Sequence, residues 1–169
     1  MFMSHKKLLT LVAVDVRSTL NVGSLLRTSD GLGVYEVYLC GITPYPRVQN
    51  DTRLPHIADS LEKRINKTAL GAQDSVKWQY AESAVDLLKR LKRQGKRIVA
   101  LEQHAKSKNI SQYKLCDDSV LVVGTEVTGL SKEIIDLCDD IVEIAMYGKK
   151  ESFNVSVAAA IALYTLLNQ

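Results

Sequence analysis

The residues best placed by type and spacing to do chemistry lie in the last quarter of the chain. Across residues 121–167 two apolar runs each lead into a glycine-containing segment, and each segment leads into a helical pattern. A loop that follows a strand and opens a helix is where α/β proteins bind ligands. The first segment, GTEVTGLS at 124–131, nearly matches the phosphate loop GxxxxGK[ST]. Leu130 stands where the lysine would be, and Glu126 puts a carboxylate where phosphate oxygens would approach. A triphosphate is therefore disfavoured, and a cationic or neutral ligand suits the loop better. No GxGxxG follows a strand, which argues against a nicotinamide or flavin site. The second segment places Ser152 and Asn154 at the mouth of a helix, where either could cap it. Arg27, inside an upstream helical stretch with Ser24 and Asp30 nearby, adds a guanidinium that stays charged at ordinary pH. Taken singly, Gly124 and Gly129 read equally well as turn glycines, 146–150 as a charged turn, and Arg27 as a solvated charge.

These segments need a scaffold. Residues 8–16 (LLTLVAVDV), rich in Leu and Val and bounded by charge, read as a buried strand. Residues 36–40, 76–80, 97–101, 119–123 and 141–144 read as five more. Helical spacing marks 22–33, ended by Gly31 and Gly33, then 58–65, 81–94, 131–137 and 154–167. In 81–94 Ala84, Leu87, Leu88 and Leu91 share one face, with Lys89, Arg90, Lys92 and Arg93 opposite. Strands alternating with helices predict an α/β fold, a mostly parallel six-stranded sheet between helices. Residues 41–57 contain Pro44, Pro46 and Pro55, with Arg47 and Arg53 between them. Proline fits neither a ladder nor a helix interior, so this reads as a long loop, and loops of that length tend to be functional or mobile. Residues 66–74 and 102–116 read as connectors. The helix at 154–167 is apolar on nearly every face, which predicts burial.

Composition sets outer bounds. With 169 residues, 46% hydrophobic and 24% charged, the chain reads as one domain, 1–169, with a real core. The longest apolar stretch, 155–163, is broken by Ser156 and is shorter than the roughly 20 residues a membrane span takes. No basic-then-apolar leader is recognisable, so a soluble cytoplasmic protein is expected. Cys40, Cys116 and Cys138 form no CxxC pair, and His5, His56 and His104 lie far apart, so no metal site is expected. The net charge of +3 is compatible with nucleic acid without pointing to it.

Considered together, three segments say more than each does alone. NVGSLLRT at 21–28, GTEVTGL at 124–130 and MYGKKESFNVSVA at 146–158 occur in this order. They resemble the three motifs of the SpoU (TrmH) family of RNA ribose 2′-O-methyltransferases, in the SPOUT superfamily. The connector KTALGAQDSVKW at 67–78 looks like that family too, and the resemblance covers nearly the whole chain.

The resemblance implies a C-terminal trefoil knot, a homodimer, and S-adenosylmethionine held largely by the backbone of three loops. Matched to this chain, those loops contribute Leu101 and Glu102; Gly124, Thr125 and Glu126; and Ile144, Ala145, Met146, Ser152 and Phe153. Ile144, Met146 and Phe153 could enclose an adenine ring, and a sulfonium cation would tolerate Glu126. The catalytic set carried over is Arg27, Asn21, Glu126, Ser152 and Asn154, with Arg27 acting at the substrate ribose from the partner subunit's side. An arginine is better suited to gripping phosphate and stabilising developing charge than to serving as a base. The substrate implied is tRNA or rRNA, with Arg27, Arg47, Arg53, Lys149 and Lys150 as RNA contacts and the basic run 89–97 as a further candidate. Ala145 stands where relatives often carry Pro, and Phe153 where they often carry Leu, which predicts an altered fit of the cofactor. The chain reads as a minimal member without an added RNA-binding domain. The alternative is a catalytically inactive RNA-binding module on the same fold.

Overall fold

The computed structural model describes residues 8–125 and 128–169. In chain order the elements are β1 (Leu9–Val14), α1 (Thr19–Leu32), β2 (Glu36–Cys40), α2 (Pro55–Ala69), α3 (Ala72–Ser75) and β3 (Trp78–Ala81). They continue with α4 (Ala84–Arg93), β4 (Arg97–Leu101), β5 (Lys108–Asn109), a 3-10 turn (Ile110–Gln112), β6 (Ser119–Val123), α5 (Lys132–Leu137), β7 (Asp140–Glu143) and α6 (Val155–Leu167).

The strands form one sheet in the order β3-β2-β1-β6-β4-β7-β5, and every neighbouring pair is parallel. The sheet thus has seven strands where six were expected. The additional one, β5, is two residues long at the edge, too short to leave a periodic signature. Alternate residues of the strands feed two cores, as the two-residue period of a strand requires. Leu9, Leu11 and Ala13 of β1 pack with Leu121 and Val123 of β6 under α1, α2 and α6. Val12 and Val14 pack with Val120 and Val122 under α4 and α5.

Four helix boundaries show which local interactions decide them. Ser18, Ser83, Ser131 and Asn154 each accept a backbone N–H of the first turn, so α1, α4, α5 and α6 begin at those caps. Pro55 was read as loop, yet it opens α2, because proline at the first helical position gives up an N–H that would be unsatisfied anyway. The connector reading of 66–74 gives way to the end of α2 and the short α3. Gly31 lies within α1, and Gly33 caps it in the left-handed conformation. In α1, Gly23 lies against α2 so closely that a Cβ there would overlap Thr68 Oγ1 and the Ile65 carbonyl. The motif glycine is a packing requirement between helices.

The burial predicted for α6 holds for one face only. Ala159, Ala162, Leu163 and Leu166 are buried, while Val157, Ile161 and Tyr164 are exposed at helical spacing. Among the described residues, no helix is long and apolar enough to cross a membrane.

Candidate functional site

Because the sheet is parallel, the carboxyl ends of its strands share one edge, and the loops that leave β4, β6 and β7 meet there. Between them lies a cavity of about 370 Å³ lined by Leu101–Gln103, Val123–Thr125, Thr128, Gly129, Glu143, Ile144, Glu151–Phe153, Val155 and Ala158. That size is within the range of small-molecule sites.

The loop after β6 is not a phosphate cradle. Thr125 pairs with Gly129 in an antiparallel bridge, and the Thr125 and Thr128 hydroxyls lie 2.8 Å apart. A Cβ at Gly124 would come within 2.7–2.9 Å of the Gly129 and Leu130 backbone. Gly129 itself has φ 64°, and a Cβ there would overlap the Glu102 carboxylate. Both glycines are therefore needed for the loop to fold back on itself. Glu102 latches the fold. One of its oxygens accepts the Leu130 N–H at 2.8 Å and the other accepts the Gln103 N–H at 3.1 Å. The β7 loop is tied in as well, with Gln103 Nε2 donating to the Glu151 carbonyl at 2.6 Å.

The electrostatics of the lining are one-sided. It contains Glu102, Glu143 and Glu151, and among the described residues no lysine or arginine. A cavity with that lining favours a cation or a neutral ligand over an anion. Burial pushes the thiols of Cys40 and the half-buried Cys138 up to about 12. Among the described residues, no cluster of His, Cys, Asp or Glu could hold a metal ion.

Of the residues predicted to bind a cofactor, Leu101, Glu102, Gly124, Thr125, Ile144, Ser152 and Phe153 line the cavity. Ala145 and Met146 are half-buried just beyond it, and Glu126 lies outside the described residues. Gln103, Thr128, Glu143 and Glu151 also line it and were not singled out; Thr128, inside GTEVTGL, and Glu151, beside Ser152, carried a signal of position in the sequence.

Asn21 and Asn154 meet. Asn154 Nδ2 donates to Asn21 Oδ1 at 3.1 Å while its own Oδ1 takes the Ser156 N–H and hydroxyl. The first and third sequence segments are thereby joined at the mouths of α1 and α6. Arg27 is exposed on α1, does not line the cavity, and makes no hydrogen bond or ion pair among the described residues.

The remaining basic candidates divide. Arg53 was expected to face RNA, but its side chain is turned inward. It donates to Asp51, to the Tyr45 carbonyl at 2.9 Å and to the Pro46 carbonyl at 3.0 Å, and its guanidinium lies 3.7 Å from the Tyr45 ring centre. Hydrogen bonds from Arg53 hold the Asp51 carboxyl well below the usual carboxylate range. Arg47 is exposed and paired with Asp59. Lys92, Lys96 and Arg97, from the basic run, pair with Asp139, Asp118 and Asp140. Lys149 and Lys150 are exposed, with no ion pair among the described residues.

Comparison with known proteins places this geometry. The model of the SpoU rRNA Methylase family matches residues 8–164. A tRNA (guanosine(18)-2'-O)-methyltransferase of Borreliella burgdorferi is 33% identical over 159 residues, covering 94% of this chain and 66% of that protein. The structure of a TrmH/SpoU tRNA modifying enzyme of A. aeolicus superposes with a TM-score of 0.77 at 29% identity, covering 96% of this chain and 75% of the other. That of the SpoU methyltransferase AviRb of Streptomyces viridochromogenes, in complex with AdoMet, shares the fold with a TM-score of 0.79 at 21% identity, covering 98% and 58%. The chain spans between 58% and 75% of the length of these proteins.

Proposed function

This chain belongs to the SpoU rRNA methylase family, and from that premise we propose that it transfers a methyl group from S-adenosylmethionine to a ribose 2′-hydroxyl of tRNA or rRNA. The observation that carries this reading is the cavity at the carboxyl ends of β4, β6 and β7, with three glutamates and, among the described residues, no basic side chain in its wall. When bound, S-adenosylmethionine supplies a methyl group activated by a sulfonium cation. The Leu101, Gly124 and Ile144 loops would hold it, with Ile144 and Phe153 against its adenine and the glutamates favouring its charge.

Arg27 stands outside the cavity of its own chain and would enter from a second copy. The exposed stripe of Val157, Ile161 and Tyr164 on α6, with Leu20 exposed on the packed helix α1, supports a homodimer interface there. Leu20 and Arg27 are seven residues apart and share a helix face, so an interface over the stripe would carry Arg27 with it. Its guanidinium would grip a phosphate beside the reacting hydroxyl and stabilise the negative charge that grows as the proton leaves. Asn21 and Asn154 hold α1 and α6 in the register this needs. Lys149 and Lys150 border the mouth as phosphate contacts.

A trefoil knot through the tail belongs to the same reading. In its support, the 102–116 segment embraces the tail, through Gln103 to Glu151 and through the Leu115 N–H donating to Gln169 Oε1 at 3.3 Å. Action on tRNA or rRNA would put the protein in the cytoplasm.

The test is transfer of labelled methyl from S-adenosylmethionine to unfractionated tRNA and rRNA, with nuclease mapping of the product. A 2′-O-methylated nucleotide is expected. No detectable heat on titration with S-adenosylmethionine, together with no labelled RNA, would favour the catalytically inactive RNA-binding module.

A further inference from the structure

We propose that the loop 41–54, together with Tyr80, is a preformed platform on which the substrate RNA lays an unpaired base next to the methylated nucleotide. The inference rests on the RNA methyltransferase reading and names where that RNA runs.

The loop is a built object. Thr43 is buried, donating to the Cys40 carbonyl at 2.6 Å and accepting the Val16 N–H at 3.0 Å. Arg53 ties Tyr45, Pro46 and Asp51 together from inside, and Arg47 fastens the far limb to α2 through Asp59 and, by its N–H, Glu62. Tyr45 stacks on Tyr80 with ring centres 4.3 Å apart and planes at 28°. The Tyr80 hydroxyl donates to the Gly41 carbonyl at 2.8 Å. Arg53 and Thr43 make their ties inside the loop, while outside, beside the exposed Arg47, Gln49, Asn50 and Thr52, apolar surface is offered by Ile42, 62% exposed, Val48, 39%, and Tyr80, 38%. A surface already ordered in this way loses little freedom on binding.

Its position selects the partner. Val14, Cys40 and Ala81 are in register at the ends of β1, β2 and β3, and Ala13 is opposite Val123 of β6. The platform and the cavity thus share one edge, with β2 two strand spacings from β6, roughly 10 Å, and Tyr80 on β3 three spacings from it, roughly 14 Å. An RNA whose ribose enters the cavity must continue over this edge, and the next nucleotides come within reach of the platform. Arg17, exposed at the end of β1 between the two sites, has no ion-pair partner among the described residues and can take a phosphate. After burial and Tyr45, the carboxylates Glu82 and Asp15 push the Tyr80 hydroxyl up. A phosphate would be repelled there, whereas the uncharged face of a base would not. Aromatic rings that receive bases without reading their sequence are a common device for unpaired nucleic acid.

The experiment uses the whole protein and a single-stranded RNA of mixed sequence carrying 2-aminopurine. Tyr80→Leu keeps apolar bulk and loses the ring. It should weaken RNA binding roughly fivefold or more and abolish the stacking-dependent quenching of the fluorophore, with cofactor affinity unchanged. Ile42→Ser, which removes no internal hydrogen bond, should weaken binding about twofold to fivefold. Arg17→Ala should lower the slope of log K against log salt by about 0.7. Parental RNA affinity and quenching in all three variants would overturn the platform while leaving the methyltransferase reading standing. A change of oligomeric mass in Ile42→Ser or Tyr80→Leu would overturn it in favour of a protein interface. Failure of the parent protein to bind or methylate any RNA would remove both readings together.

Discussion

At the β4–β6–β7 end of the sheet edge, carboxylates face a cavity whose walls are largely glycine loop and strand-end backbone. At the β1–β2–β3 end, the Arg53 guanidinium and the Tyr45 ring are spent inside a loop that leaves Ile42 and Val48 exposed. Both ends grow from the same kind of strand terminus, so the strands do not set the difference. What differs is the side chain used to close each loop. Glu102 closes the first by accepting the Leu130 N–H, which leaves negative charge in the wall. Arg53 closes the second by donating to two carbonyls, which leaves little of its charge outside. A carboxylate latch suits a pocket for a small cation, and a buried arginine latch suits a stiff surface for something larger.

Arg27 lines neither end of this edge in its own chain. Arg27→Ala should lower methyl transfer by about 100-fold or more, the scale expected when one charge-stabilising donor is removed. Cofactor affinity measured by calorimetry should be nearly unchanged, and equal activity would take Arg27 out of the mechanism. At the cavity end, Gly129→Ala puts a Cβ into Glu102 at a left-handed backbone position. It should cost about tenfold or more in cofactor affinity, because the loop can no longer close. Glu102→Ala, which frees the latch without adding bulk, should cost less, about fivefold in the same titration.

The opposite end is probed by stability. Arg53→Ala removes a half-buried fork and its stacking on Tyr45, and should lower unfolding stability in urea by about 2 kcal/mol with cofactor affinity intact. Loss of cofactor affinity in that variant would show that the two ends are not independent.

The smallest effect concerns pH and the far edge of the sheet. The Asp140 carboxylate is nearly buried and receives Arg97, Lys108 and Tyr113. Burial alone would raise its pKa, yet those hydrogen bonds hold it below the ordinary value. A carboxyl depressed in the folded state stabilises above its unfolded pKa, about 4, and loses that contribution as the pH falls through the folded value. Asp140→Asn should therefore cost about 1 kcal/mol at neutral pH, with the difference from the parent shrinking below about pH 4 in urea titrations. A constant difference across that range would assign the effect to packing.

Much of this was legible in the sequence, and the exceptions share a cause. Six strands were readable, most of them because buried parallel strands are runs of Val, Leu and Ile, and the half-exposed β3 through its aromatic Trp78 and Tyr80. β5 was not, since its two residues pair with β7 only because the chain around them is pinned. Two of the three cavity loops could be matched to motifs, but the Glu102 latch in the third was invisible because it joins residues far apart in the chain. Arg53 shows the reverse error. Its charge pointed to RNA, and only the folded loop supplies the carbonyls and the Tyr45 ring that absorb it. The half-exposed α6 shows that composition identifies an apolar helix without saying which molecule covers it.

The strand order carries a consequence for how the protein comes into being. β1 lies inside the sheet with β2 on one side and β6 on the other, and Leu9 is opposite Ser119. The first neighbour is near in sequence and the second is most of a chain away, so β1, α1, β2 and α2 can settle around Gly23 long before β6 arrives. Closing so large a loop is the slow kind of folding event. Until it happens one side of β1 is an open parallel edge and the cavity has no floor. The bond between Asn21 and Asn154 then belongs to the last act of assembly, when early and late parts of the chain first become one structure.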